Sequence, residues 1–125
     1  MEYEDLRRAV ELMLFEGRED DYCDFKQCYH DNKASRLHDI ICMANNLSGK
    51  DGYIIFGVED KTMNVLGIEH DANRLNQQQF VDFLKGKVFF AGIRPKIELH
   101  TLHMRGHEID VLIVKSTHDT PYVIA

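Results

Sequence analysis

A mixed α/β (α+β) domain, with helices packed against a mixed sheet, is what this sequence predicts. Three observations carry that reading. Apolar residues recur at helical spacing in three separate stretches; "YIIFGV", residues 53–58, is almost unbroken in apolar and β-branched residues; and two alternating segments flank Arg105-Gly106 near the end of the chain.

Residues 4–15, EDLRRAVELMLF, place Leu6, Val10, Met13 and Leu14 on one face, with acids early and Gly17 just past the end, which predicts an amphipathic helix. Residues 22–27 follow as a brief strand in which Tyr22, Asp24 and Lys26 share one face and Cys23, Phe25 and Gln27 the other. "YHDNK" breaks it. From Ala34 to Leu47 the stripe Leu37, Ile40, Ile41, Ala44 and Leu47 predicts a second helix, ended by "SGKDG". "YIIFGV" reads as a central strand covered on both faces, "EDKTMN" as a turn, and "VLGI" as its hairpin partner. A third helix spans Asn76 to Val88 through Phe80, Phe83 and Leu84, and Pro95 marks a boundary. "KIELHTLHM" and "HEIDVLIVKS" then form a closing hairpin. The predicted order is α-β-α-β-β-α-β-β.

At 125 residues and 44% hydrophobic content the chain predicts one domain, 1–125, able to bury a core of its own. Because "TPYVIA" opens a new apolar segment just as the chain stops, a fragment of a longer protein is expected. The charged N-terminus is unlike a signal peptide, and eighteen apolar residues never run together, so a cytoplasmic chain without a membrane segment is expected. Cys23, Cys28 and Cys42 are odd in number and lack C-x-x-C spacing, which argues against a disulfide framework and a structural zinc site. A net charge of -6 argues against binding nucleic acid by overall charge, so any such partner must meet a local basic patch.

Two clusters bear on chemistry. "EDDYCDFKQ", residues 19–27, puts four carboxylates into six positions and closes on a lysine. Asp20 and Asp21 read as solvated. Asp24 and Lys26 share a strand face, where they make an ordinary surface pair or, as D-x-K, a pattern similar to that of metal nucleases. Lys33, Arg36, Lys50, Lys61, Arg74, Lys85, Lys87, Arg94 and Lys96 are the cations available for a patch. The run "KGKVFFAGIRPK" suits a nucleic-acid strand, although Phe89 and Phe90 also fit a core from which the lysines snorkel to water. His100, His103 and His107 do not make a zinc site, because His100 and His103 point to opposite strand faces. A phosphate-binding G-x-x-x-x-G-K-[ST] loop is missing, and Ser35, Ser48 and Ser116 lack a nucleophile's sequence context.

With these elements placed, "DFK" on the first strand, "DIICMANNLSGKDGYIIFGVED", "VLGI", "IRPKIELHTLHMRGHEIDVLIV" and "TPY" together resemble the Schlafen-type AlbA-like domain over residues 19–123. Family members usually carry adjacent glycines where this chain has Ser48 to Gly52, and glutamate where it has Asp24; they also continue past "P-Y" with a basic segment. The resemblance implies a nucleic-acid-binding module of a transcriptional-regulator-like protein. Certain animal relatives instead cleave transfer and ribosomal RNA with three acids and a divalent metal. Those acids fall on Glu19, Asp24 and Asp60, which as hard oxygen ligands suit Mg2+ or Mn2+, with Lys26 placed to neutralise phosphate charge. For the binding role, Lys50, Lys85, Lys87, Arg94 and Lys96 are the expected contacts. A protein-interaction module is the third expectation, favoured by the net acidity. The animal relatives build their cleft from two such lobes, so a single lobe is expected to form a homodimer.

Overall fold

The computed structural model describes residues 2–17, 21–117 and 121–124. Helix α1, Tyr3–Glu16, buries Leu6, Val10 and Leu14 and is ended by Gly17, whose left-handed φ of 66° lets its N–H reach the Met13 carbonyl. Strand β1, Cys23–Lys26, alternates buried Cys23 and Phe25 with half-buried Asp24 and Lys26. Helix α2, Lys33–Ala44, is capped by the Asn32 side chain, which accepts from the Ser35 N–H at 3.0 Å. Strand β2 is Gly52–Phe56 and helix α3 is Gln77–Lys85, opened by a reciprocal capping box between Asn76 and Gln79. Strands β3, Ile97–Met104, and β4, His107–Val114, form the closing hairpin. Positive φ at both Arg105 (52°) and Gly106 (78°) gives its two-residue turn the twist that adjacent strands need.

The four strands lie in the order β1-β2-β4-β3. β1 and β2 run parallel, joined through α2 as a βαβ unit, while β2–β4 and β3–β4 are antiparallel, so the sheet is mixed. Each face has its own core. Ile40 and Met43 of α2 and Phe80 and Leu84 of α3 cover Ile54, Phe56, Leu112 and Val114. On the opposite face α1 covers Cys23, Phe25, Ile55, Leu102, Ile109, Val111 and Ile113. The near-continuous apolar run of β2 is thereby explained: its residues alternate between two cores.

Three expectations need correction. "VLGI" is not a strand: only the pair Val58 and Val65 bridges, because Gly57 and Gly67 adopt φ of 108° and 82° and the Gly57 carbonyl accepts from both Leu66 and Gly67. The Ile68 N–H then turns to the Glu108 carbonyl, docking the segment beside β4, and the observed order is α-β-α-β-α-β-β among the described residues. Helix α2 stops at Ala44, since the Asn46 amide donates to the carbonyls of Met43 and Lys50 and folds the chain back; Leu47, expected on the apolar stripe, is 96% exposed. Of the two adjacent phenylalanines, Phe89 is buried and Phe90 is 72% exposed.

Among the described residues one charged side chain is fully buried. Asp110, on the β4 face that carries Leu112 and Val114, receives Arg74 Nε and Nη2 at 3.0 Å each, the Thr101 hydroxyl at 2.7 Å and the Tyr29 hydroxyl at 2.6 Å. Arg74 also donates to Glu108 at 2.9 Å, and Tyr29 stacks on Phe56 with ring centroids 4.0 Å apart. Hydrogen bonding to Asp110 raises the Arg74 pKa further, and burial followed by the bond to Asp110 raises that of the Tyr29 hydroxyl.

Two outcomes follow for stability. Asp110→Asn, which leaves Arg74 without its bidentate partner, lowers unfolding free energy by about 3 kcal/mol in chemical denaturation; a loss under about 1 kcal/mol refutes a structural role for the pair. A Cβ at Gly52 falls 2.7 Å from Met43 Cβ and 2.9 Å from its carbonyl oxygen, so Gly52→Ala forces α2 away from β2 and costs about 1–3 kcal/mol in the same assay.

Candidate nucleic-acid interface

Because Cys23 and Phe25 face α1, Asp24 and Lys26 face α2. There the Lys26 ammonium lies 3.1 Å from Asp24 Oδ2 and 3.4 Å from Asp39 Oδ2. Burial pulls the Lys26 pKa down, but the charge and hydrogen bonding of Asp24 and Asp39 outweigh it and leave it above the ordinary lysine value. Beside this cluster a cleft floored by Ile40, Ile54, Phe56 and Phe80 and edged by His30 and Arg36 has about 20 Å³ of space, room for one water. Asp39 was not read from the sequence as part of this cluster. A polar residue next to Ile40 on α2 was its only signal, and the βαβ connection is what lays that helix over β1.

Of the three acids, Asp24 and Asp60 fall among the described residues. Glu19 lies outside them, and Asp60 sits exposed in the turn after β2. Among the described residues no three histidine, cysteine, aspartate or glutamate side chains meet as a metal-binding group. Asp24 and Asp39 supply the hard oxygens that Mg2+ or Mn2+ prefers, but the Lys26 ammonium already bridges them, so a cation binding there must displace it.

The other candidate cations lie elsewhere. Gly52, Val114 and Ile97 are register partners across β2, β4 and β3, which places Lys50, just before β2, and Lys96, just before β3, at the same end of the sheet. The Gln77 side chain accepts from the Leu99 N–H, which sets the start of α3 against β3, and Arg36 of α2 lies 5.0 Å from the centroid of Phe83 on α3. Arg94 and Lys96 line an open groove of about 470 Å³ with Val81, Leu84, Ile93, Pro95 and Ile97. Two of these cations are seated on aromatic rings: Lys50 Nζ is 4.6 Å from the Tyr22 centroid and Lys87 Nζ 4.9 Å from that of Phe83. Of the acids at this end, Asp51 and Glu98 are paired with Lys115 at 3.2 and 3.7 Å, whereas the exposed Asp21 accepts from the Ser48 hydroxyl.

His100 and His103 fall on opposite faces of β3, as alternation requires: Leu102 and Met104 face α1 with His100, whereas His103 shares the other face with Leu99. His100 pairs with Glu98 at 3.1 Å and His107 Nδ1 with Glu69 at 2.8 Å.

Fold and site together define an α+β domain in which a βαβ unit is extended by an antiparallel hairpin and basic residues collect at one end of the sheet. The Schlafen, AlbA_2 family model matches residues 19–124, and the chain belongs to that family. None of the curated proteins matches it. Membership fits a nucleic-acid-related role at a coarse level. No helix among the described residues is long and apolar enough to cross a membrane.

The Glu69–His107 contact has a pH signature. The His107 hydrogen bond holds the Glu69 carboxyl down at about 2, from an ordinary 4.5. Since the folded value is the lower one, its stabilising contribution is complete above about pH 4.5 and is lost as pH falls toward 2. Thermal melts of Glu69→Gln therefore show a shallower acid decline than wild type across that window; parallel curves refute the linkage.

Proposed function

We propose that this domain binds nucleic acid through the basic end of its sheet, with Lys50, Lys85, Lys87, Arg94 and Lys96 as phosphate contacts. The observation that carries the proposal is the segregation of charge. Residues 85–96 hold four of the chain's 15 lysines and arginines and none of its 21 acids. In a chain of net charge -6, Arg94 and Lys96 of that segment line one groove, and Lys50 lies at the same end of the sheet. Phosphate contacts need cations but no particular base, so the module positions a strand without reading its sequence.

A nuclease reading has a narrower base, the Asp24–Lys26–Asp39 cluster beside Arg36 and His30. Two carboxylates with an ammonium between them suit either a closed structural pair or a site whose lysine moves toward an incoming phosphate. In both readings Lys26 keeps its charge, because its carboxylate neighbours raise its pKa.

The test is fluorescence anisotropy with labelled RNA and DNA oligonucleotides, titrated over salt. The affinity falls with salt, and Arg94→Ala and Lys96→Ala each weaken binding for every sequence alike and reduce the log–log salt slope by about 1. No binding to either polymer at about 50 mM salt refutes the proposal. Cleavage in Mn2+ that disappears with EDTA and in Asp24→Ala establishes the nuclease reading instead.

A further inference from the structure

The basic end carries a feature that phosphate binding leaves unused. Val88 and Phe90 are 70% and 72% exposed, and Ile93, Val123 and Ile124 are also open to solvent. These residues adjoin one another. Phe89 and Ile124 form an antiparallel bridge, and the Phe90 N–H donates to the Val123 carbonyl at 2.7 Å. The turn that presents Phe90 is held on both sides. The Gly92 and Ile93 N–H groups bond back to the carbonyls of Phe89 and Phe90, and Ala91 and Gly92 adopt φ of 61° and 69°. An aromatic ring is thus displayed outward on an ordered turn, inside a segment whose only charges are positive.

The chemistry of that arrangement selects a partner. Duplex nucleic acid offers phosphates along its backbones but keeps its base faces stacked, so an exposed ring gains little from it. A single strand offers both, and a ring between cations satisfies both: each base stacks while the phosphates meet Lys87, Arg94 and Lys96. An apolar protein partner has no use for four unopposed cations. Resting on the nucleic-acid reading above, we propose that Phe90 is a base-stacking platform that makes the basic end of the sheet a site for single-stranded nucleic acid in preference to duplex.

The chain has no tryptophan, so Phe90→Trp introduces a single reporter at the platform. It is titrated with an oligo(dT) strand of about 12 nucleotides and with a blunt duplex of the same length, beside wild type and Phe90→Ala, with labelled strands followed by anisotropy. The expected result is quenching of the indole by the single strand and tighter binding of single strand than duplex. Phe90→Ala weakens single-strand binding roughly five- to a hundredfold and leaves duplex binding and the salt slope unchanged. Because the side chain is 72% exposed, the alanine variant keeps the wild-type melting temperature.

Single-strand affinity within about twofold of wild type in Phe90→Ala overturns the platform while leaving phosphate binding in place, as does strand binding without indole quenching. If the patch seats a second copy of the chain, Phe90→Ala converts dimer to monomer in sedimentation without changing strand affinity, which also overturns it. Failure of wild type to bind either polymer removes the underlying nucleic-acid reading itself.

Discussion

The carboxylate of Asp110 organises one whole face of the sheet. It is buried on a β4 face otherwise occupied by Leu112 and Val114, and on its own it is a costly group to desolvate. Arg74 answers it with two parallel hydrogen bonds, and Thr101 and Tyr29 supply hydroxyls, so four donors converge on two oxygens. Each partner comes from a different part of the chain: Thr101 from β3, Arg74 from the connection into α3, and Tyr29 from the loop after β1. Their convergence fixes where the irregular segments lie. Tyr29 in turn stacks on Phe56 and takes Asp71 through its backbone N–H at 2.8 Å, tying the β1–α2 connection to residues forty positions away. Satisfied networks of this kind specify one arrangement, because a partly satisfied alternative leaves a buried charge unpaired.

That anchoring separates two electrostatic neighbourhoods. Lys26, at the carboxyl end of the parallel pair, is enclosed by Asp24 and Asp39 in a three-residue cluster that is acidic by one charge. Lys50 and Lys96 lie at the opposite end of β2, where β4 ends and β3 begins. The antiparallel register, rather than proximity in sequence, places Lys50 and Lys96 at the same end of the sheet. The close approach of Gly52 to Met43 sets how α2 meets the start of β2, and the Asn46 bonds to the Met43 and Lys50 carbonyls hold the intervening turn beside it.

Much of this was legible in the chain, and the exceptions share a cause. The helices, the apolar central strand and the final hairpin declare themselves through local periodicity, which depends only on neighbouring residues. "VLGI" carried a strand's composition, but two glycines with positive φ gave its backbone a different set of partners, and glycine conformation is not written in hydrophobicity. Nothing local in "HEIDVLIV" marks Asp110 as buried; the arrival of Arg74 from 36 residues away makes it an inward position. Asp39 was invisible for the same reason, its role depending on a strand laid beneath its helix. Phe89 and Phe90 are chemically identical, and the bridge to Ile124 buries one and presents the other.

The acidity of the whole chain and the basicity of one end are compatible because charge acts over a limited range. At physiological ionic strength the screening length is about 8 Å, so a phosphate in the groove would respond to Arg94 and Lys96 far more than to acids across the domain. The same screening limits what those few cations can contribute. Long-range attraction does not gather a polyanion to a molecule of net charge -6, so the proposed complex would be held by contacts made at short distance. Stacking is such a contact, insensitive to salt and available from any base. On the proposed reading, an exposed phenylalanine on an ordered turn is the complement that a small basic patch on an acidic protein requires.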